Sequence, residues 1–184
     1  MLESRVTLIL VTWQSPLVRG PNQILYTPHT TPPPPNMKEE TLEHLIKGYH
    51  RFRTNIWPAE RDRYRALSRV GQNPETLVVS CSDSRVDPQT VFGAAPGEMF
   101  VVRNVAGLVP PDQPDTRCHG TSAALEFGVR VLKVSRIVVL GHAQCGGVQA
   151  MVSGMPAEAR SYVEPWMKIA DPVLKQVPPH LDGE

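Results

Sequence analysis

The 184-residue chain has only 3 cysteines, too few and odd in number for the disulfide framework of a secreted domain. It also lacks an excess of either charge: the formal net charge of +1 argues against nucleic-acid and membrane-surface partners. Its longest early apolar run, residues 6–13, is too short to span a bilayer. We therefore expect a protein of a reducing compartment, the cytoplasm, that uses its cysteines for metal binding or catalysis.

Proline, in contrast, is abundant and unevenly placed. Residues 1–36 end in a proline-rich stretch that cannot be helical and is typical of a polyproline or disordered linker. We predict that residues 1–36 are a disordered or extended extension and are dispensable, and that residues 37–184 form one folded domain.

Two periodicities follow this extension. Helical spacing of apolar residues predicts an N-terminal amphipathic helix containing Leu42, Leu45, Ile46, Tyr49 and Phe52. Short β-branched runs then alternate with helical patterns; the runs are residues 76–80, 99–103 and 135–140, and the helices are residues 120–132 and about 145–151. This alternation predicts an α/β fold with a mainly parallel sheet flanked by helices.

Three metal-binding side chains lie at the ends of these predicted elements. Cys81 directly follows the first strand, His142 lies just beyond the third, and Cys145 falls at the start of a helix. Ligands of open α/β sheets bind at the carboxyl ends of the strands. Because two thiolates and one imidazole leave a fourth position open, as in catalytic zinc sites, we predict that these residues bind Zn²⁺.

Asp83 and Arg85 stand next to the first predicted ligand. Asp83 either takes the fourth position on the metal and closes the site, or pairs with Arg85 and accepts a hydrogen bond from zinc-bound water. In the open arrangement, the metal acidifies that water, and the resulting hydroxide is a nucleophile near neutral pH.

Three motifs closely resemble the β-class carbonic anhydrases: CSDSRVDP at residues 81–88, FVVRN at 100–104 and GHAQCGGV at 141–148. The match runs from about residue 37 to residue 166. It implies reversible hydration of carbon dioxide to bicarbonate and a proton, with Asp83 and Arg85 as the catalytic dyad. It also implies a homodimer or a higher homo-oligomer.

The resemblance also implies roles for four other residues. Gln72 matches a glutamine that binds substrate, and the backbone N–H of Gly146 would hold a bicarbonate oxygen. Phe100 matches an aromatic wall of the pocket that is contributed across the dimer. Phe127 stands where plant-like members carry tyrosine, so that hydroxyl is missing here.

The chain departs from the family pattern at both ends. Residues 1–36 match nothing in the family, and family members continue beyond residue 184 with another strand and helices. We therefore expect a C-terminally truncated domain whose sheet has an uncovered edge.

Two alternative functions stay open. One is a non-catalytic paralogue that binds zinc or bicarbonate, and the other is a hydrolase of carbon disulfide or carbonyl sulfide on the same fold.

Overall fold

The computed structural model of the protein describes residues 7–13, 42–115 and 117–176. The strands are β1 (Thr7–Trp13), β2 (Thr76–Cys81), β3 (Met99–Asn104) and β4 (Arg136–His142). The α-helices are α1 (Leu42–Arg51), α2 (Trp57–Val70), α3 (Pro88–Phe92), α4 (Gly120–Glu126), α5 (Gly146–Ser153), α6 (Val163–Met167) and α7 (Asp171–Leu174). Within these residues no helix is long and apolar enough to cross a membrane.

The four strands form one parallel sheet in the order β1-β4-β2-β3. Thr76 at the start of β2 is in register with Met99 of β3 and with Arg136 of β4. The strands therefore start at one level, and their carboxyl ends meet at one edge of the sheet. The predicted parallel α/β fold is confirmed, with Cys81 and His142 as the last residues of their strands.

Apolar packing covers both faces of the sheet. The central strand β2 is buried from Leu77 to Cys81 because successive side chains point to opposite, equally covered faces. Leu77 and Val79 pack with Val134 on one face, where Leu125, Val129 and Leu132 close the layer. Val78 packs on the other face with Val86, Val138, Leu140 and the two cysteines Cys81 and Cys145.

A helical unit that ends at Gly71 is separate from the unit that contains the sheet. Its first helix, α1, is the predicted amphipathic helix. A π-helical turn, Phe52–Ile56, joins α1 to α2. Rings of Phe52, Trp57 and Tyr64 pack together within this unit, with centroids 5.3–6.3 Å apart.

The strand β1 differs from the expectation for residues 1–36. Thr7–Trp13 pairs in parallel with β4 along its whole length, so this part of the extension belongs to the sheet. The segment TLILVTW is apolar, β-branched and uncharged, a composition that favours strands. β1 also covers the side of β4 that faces away from β2. The rest of residues 1–36 and residues 177–184 lie outside the described residues.

Candidate metal centre

The sheet brings the three predicted metal ligands together. Cys81 ends β2 and His142 ends the neighbouring strand β4, while Cys145 is the N-cap residue of α5. Their donor atoms all lie within 4.8 Å of one another. Both cysteines are buried, and neither forms a disulfide. Residues distant in the sequence thus form one compact cluster at the carboxyl edge of the sheet.

The geometry of this cluster fits zinc. The Sγ atoms of Cys81 and Cys145 are 3.8 Å apart. Two sulfur ligands of tetrahedral zinc, each at about 2.3 Å, would be separated by about 3.8 Å. In addition, both ring nitrogens of His142 are buried and have no hydrogen-bond partner among the described residues. Buried polar atoms are normally paired, so an unpaired imidazole in this position suits a metal ligand.

Backbone N–H groups and burial shape the surroundings of the two sulfurs. The backbone N–H of Asp83 points at Cys81 Sγ, with 3.5 Å between nitrogen and sulfur. Burial raises the pKa of the Cys145 thiol, and the negative charge of Cys81 acts in the same direction. Backbone N–H groups of Val148 and Gly147 oppose this shift. A cation bound between the sulfurs would favour the thiolate form of Cys145, because it would offset the repulsion between two buried negative charges.

Asp83 and Arg85 form a two-pronged ion pair beside the cluster. Arg85 Nε donates to Asp83 Oδ1 at 2.9 Å, and Arg85 Nη2 donates to Oδ2 at 2.8 Å. These hydrogen bonds hold the pKa of the Asp83 carboxyl well below its usual range. Arg85 Nη2 also donates to the backbone oxygen of Gln144 at 3.2 Å. The carboxylate is thus ionised and held by arginine, outside the group of atoms that could bind the metal.

Arg103 is a residue of this region that sequence reasoning missed. Its guanidinium donates to the backbone oxygens of Cys81 at 3.0 Å and Asp83 at 2.7 Å, and forms an ion pair with Asp87 at 3.1 Å. It therefore fixes the loop that follows the first ligand. The sequence pattern that could have indicated this role is a charged residue near the end of the otherwise apolar strand MFVVRN.

A tight turn lies next to the first ligand, directly after β3. Asn104 holds it by accepting from the Leu108 backbone N–H at 2.8 Å and donating to the Leu108 backbone oxygen at 2.9 Å. Gly107 has a φ of +63°, and a Cβ there would lie 3.1 Å from the Cys81 nitrogen and 3.6 Å from the Leu140 oxygen. Only glycine suits this conformation and close approach. The turn thus packs where β2 and β4 separate.

The four residues with predicted substrate roles lie in different places. Gly146 directly follows the ligand Cys145. Apart from its chain neighbours and its own helix backbone, no atom of the described residues lies within 4 Å of the position where a Cβ would stand. Gln72 is exposed in the coil after Gly71. Rings of Phe100 and Phe127 pack together with centroids 5.8 Å apart. Phe100 is paired with Leu77, which lies four residues before Cys81 on β2. Phe100 is therefore about 13 Å from the level of Cys81, measured along the strands.

Cys81 and His142 at the ends of adjacent parallel strands, with Cys145 at the start of α5, form a ligand set typical of zinc enzymes. The family model for carbonic anhydrase matches residues 76–184. Together with the relatives below, this match shows that the chain belongs to the β-class carbonic anhydrase family, whose members are zinc enzymes.

Carbonic anhydrases with curated descriptions or solved structures are similar to this chain in sequence and in fold. Beta carbonic anhydrase 6, mitochondrial, of Arabidopsis thaliana is 38% identical over 128 residues, which are 68% of this chain and 43% of the relative. The β-carbonic anhydrase CcaA has a TM-score of 0.68 at 31% identity, with 78% of this chain and 65% of that chain covered. A tetrameric β-carbonic anhydrase of Sordaria macrospora has a TM-score of 0.63 at 30% identity, with 75% and 66% covered. The chain thus spans less than half of the curated relative.

Proposed function

We propose that this protein catalyses the zinc-dependent, reversible hydration of carbon dioxide to bicarbonate and a proton. One observation carries the proposal: the donor atoms of Cys81, His142 and Cys145 converge within 4.8 Å beside an ion pair of Asp83 and Arg85. Three ligands leave one position of a tetrahedral metal for water or substrate, which is the arrangement of catalytic zinc.

The three ligands and the metal have separate roles in this proposal. Zinc in this position supplies a Lewis acid that makes a water molecule nucleophilic near neutral pH. The thiolates of Cys81 and Cys145 would balance the charge of the ion, and the His142 ring would complete the ligand set. The N–H of Asp83 stabilises the first thiolate by pointing at its sulfur.

Asp83 and Arg85 have complementary roles. Arg85 keeps the Asp83 carboxylate ionised and turned toward the guanidinium rather than toward the metal. The carboxylate would then accept a proton or hydrogen bond from the reacting water, and a metal held by the three ligands would keep one position for that water. Loss of the arginine would free Asp83 to bind the metal and close the site.

Substrate contacts complete the proposed site. Gly146 is the first residue of α5, so its backbone N–H has no partner within the helix, and we assign it to hold a bicarbonate oxygen. We assign Gln72 to a further substrate contact. Phe100 and Phe127 lie back from the metal ligands along the sheet, which supports a role for Phe100 in the pocket of a neighbouring protomer rather than its own.

A homo-oligomer is therefore part of the proposal. Leu42, Leu45, Ile46 and Tyr49 of α1 are each at least 47% exposed, so this helix presents an apolar face that a second copy of the chain would cover. The relative from Sordaria macrospora is tetrameric. We propose carbon dioxide and bicarbonate as the small-molecule partners, and the cytoplasm as the location.

The test is stopped-flow carbon dioxide hydration by the full chain after zinc loading, with the metal content measured on the same sample. We expect about one zinc per chain and a rate that rises from neutral to mildly alkaline pH. Stoichiometric zinc without hydration would overturn the enzymatic proposal in favour of a binding paralogue. Turnover of carbon disulfide or carbonyl sulfide instead of carbon dioxide would move the proposal to a hydrolase on the same fold.

A further inference from the structure

The two neighbours of β4 extend along it to different points. β2 pairs with β4 from Thr76–Arg136 as far as Ser80–Leu140. β1 pairs with the same strand from Thr7–Arg136 to Trp13–His142. In the described part of the chain, Gly141 and the ligand His142 are therefore paired with β1 alone.

The early end of the β2–β4 pairing has a structural cause. The turn that contains Gly107 lies against the Cys81 nitrogen and the Leu140 oxygen, where the two strands separate. This separation lets the two ligand-bearing segments diverge around the metal position. It also removes β2 as a support for the last two residues of β4.

The backbone after His142 is strained at Gln144. Gln144 has a φ of +52°, in the left-handed region that non-glycine residues rarely adopt. Its backbone oxygen accepts from Arg85 Nη2, an exposed side chain. His142 thus stands between a paired strand on its N-terminal side and a strained turn on its C-terminal side.

We propose that the end of β1 formed by Thr12 and Trp13 is a positioning element for the metal centre, because its pairing sets the backbone position and direction of His142. A metal ligand must be held within about 0.5 Å of its productive place, and partners that orient ligands typically contribute 10–100-fold in metal affinity. This proposal rests on the assignment of His142 as a ligand within the proposed function. It replaces the expectation that all of residues 1–36 are dispensable.

Proline substitutions in the full chain test this role, because proline cannot donate its backbone N–H to the neighbouring strand. We compare Thr12→Pro and Trp13→Pro, next to His142, with Thr7→Pro at the other end of β1. Adjacent positions are both changed because only alternate residues of a parallel strand donate to a given neighbour. Proline is tolerated at the first residue of a strand, so Thr7→Pro is the matched control.

Zinc affinity is measured by competition with a chromophoric chelator. We expect at least about a tenfold loss for whichever of Thr12→Pro and Trp13→Pro removes a donor to β4, and less than about a twofold change for Thr7→Pro. Hydrogen exchange at the amides of residues 139–142 should accelerate in the same variant. Circular dichroism must show that the fold is retained.

Equal zinc affinity and equal exchange in all variants would overturn the positioning role. Equal losses in all three variants would also overturn it, since they would indicate a general effect of β1 on stability. Absence of zinc binding in the unchanged chain would overturn the metal site instead. Hydrogen exchange would then still report whether β1 protects His142.

Discussion

The two segments that carry the metal ligands are held by different kinds of contact. The segment after Cys81 is fixed by side chains: Arg103 binds two of its backbone oxygens and Asp87, and the buried Ser80 hydroxyl donates to Val86 at 2.8 Å. The segment around His142 is fixed mainly through the backbone, by the pairing of β1 with β4.

This difference indicates which changes each segment tolerates. Side-chain contacts concentrate the support of the first segment in a few residues, so single substitutions should loosen it. Backbone pairing spreads the support of the second over a strand that tolerates many side chains but depends on its N–H groups. The first ligand should therefore be sensitive to substitution of named residues, and the second to the integrity of an edge strand.

The largest expected effect is the loss of a ligand. Cys81→Ser should abolish zinc binding and hydration, because a serine hydroxyl is not a thiolate at neutral pH. Metal analysis of the purified protein is the measurement. Cys118→Ser is the control, since Cys118 is exposed and lies outside the cluster. Stoichiometric zinc in Cys81→Ser would contradict the ligand assignment.

The next effect concerns the ion pair on the first segment. Asp83→Asn should keep zinc and lose about 10²-fold or more in hydration rate, because the amide cannot accept a proton as the carboxylate does. Asp115→Asn is a close control: Asp115 accepts from Arg117 two residues later, at 2.7 and 2.8 Å, but is not part of the metal cluster. Similar losses in both variants would exclude a specific role for Asp83.

Arg85→Ala tests the other member of this ion pair. Without the guanidinium, Asp83 is free to approach the metal, and we expect zinc to be retained while the rate falls. The absorption spectrum of the cobalt-substituted protein would change if a carboxylate became the fourth ligand. Full activity of Arg85→Ala would count against the open-site mechanism.

A smaller effect is expected from the loss of Arg103, which supports the segment after Cys81. Arg103→Met should lower the free energy of unfolding by on the order of 2 kcal/mol, because two backbone oxygens and a carboxylate lose a charged donor. Denaturant titration measures the change. Arg130→Met is the control, because Arg130 forms an exposed pair with Glu126 at 3.7 Å. An equal change in both variants would show that Arg103 is not a special support.

The last expected effect concerns the pH dependence of metal binding. Zinc binding requires deprotonated thiols, and burial raises the pKa of Cys145, so protons compete with the metal more strongly as pH falls. Apparent zinc affinity should therefore decrease from pH 8 to pH 6, measured at constant ionic strength with a chelator of known proton affinity. A pH-independent affinity would contradict thiolate ligation.

The sequence analysis predicted the α/β fold and the three ligands but missed two supports. Cys81 and His142 were recognisable because ligand-type side chains follow β-branched runs, and parallel strands place such ends together. Arg103 was missed because its partners depend on the path of the loop after Cys81, which no local pattern specifies. The composition of β1 favours a strand, but its pairing partner lies about 130 residues later in the chain, so its place in the sheet was missed.

The pairing of β1 with β4 also sets an order of events during synthesis. β1 is made first, yet its partner strand follows about 130 residues later, which at about 5–20 residues per second corresponds to a delay of roughly 6–26 s. During that interval an uncharged, β-prone segment has no native partner and can pair with other chains. The metal centre thus gains its last support only after most of the described fold has been synthesised, so slow docking of β1 would delay metal uptake and favour aggregation of the nascent chain.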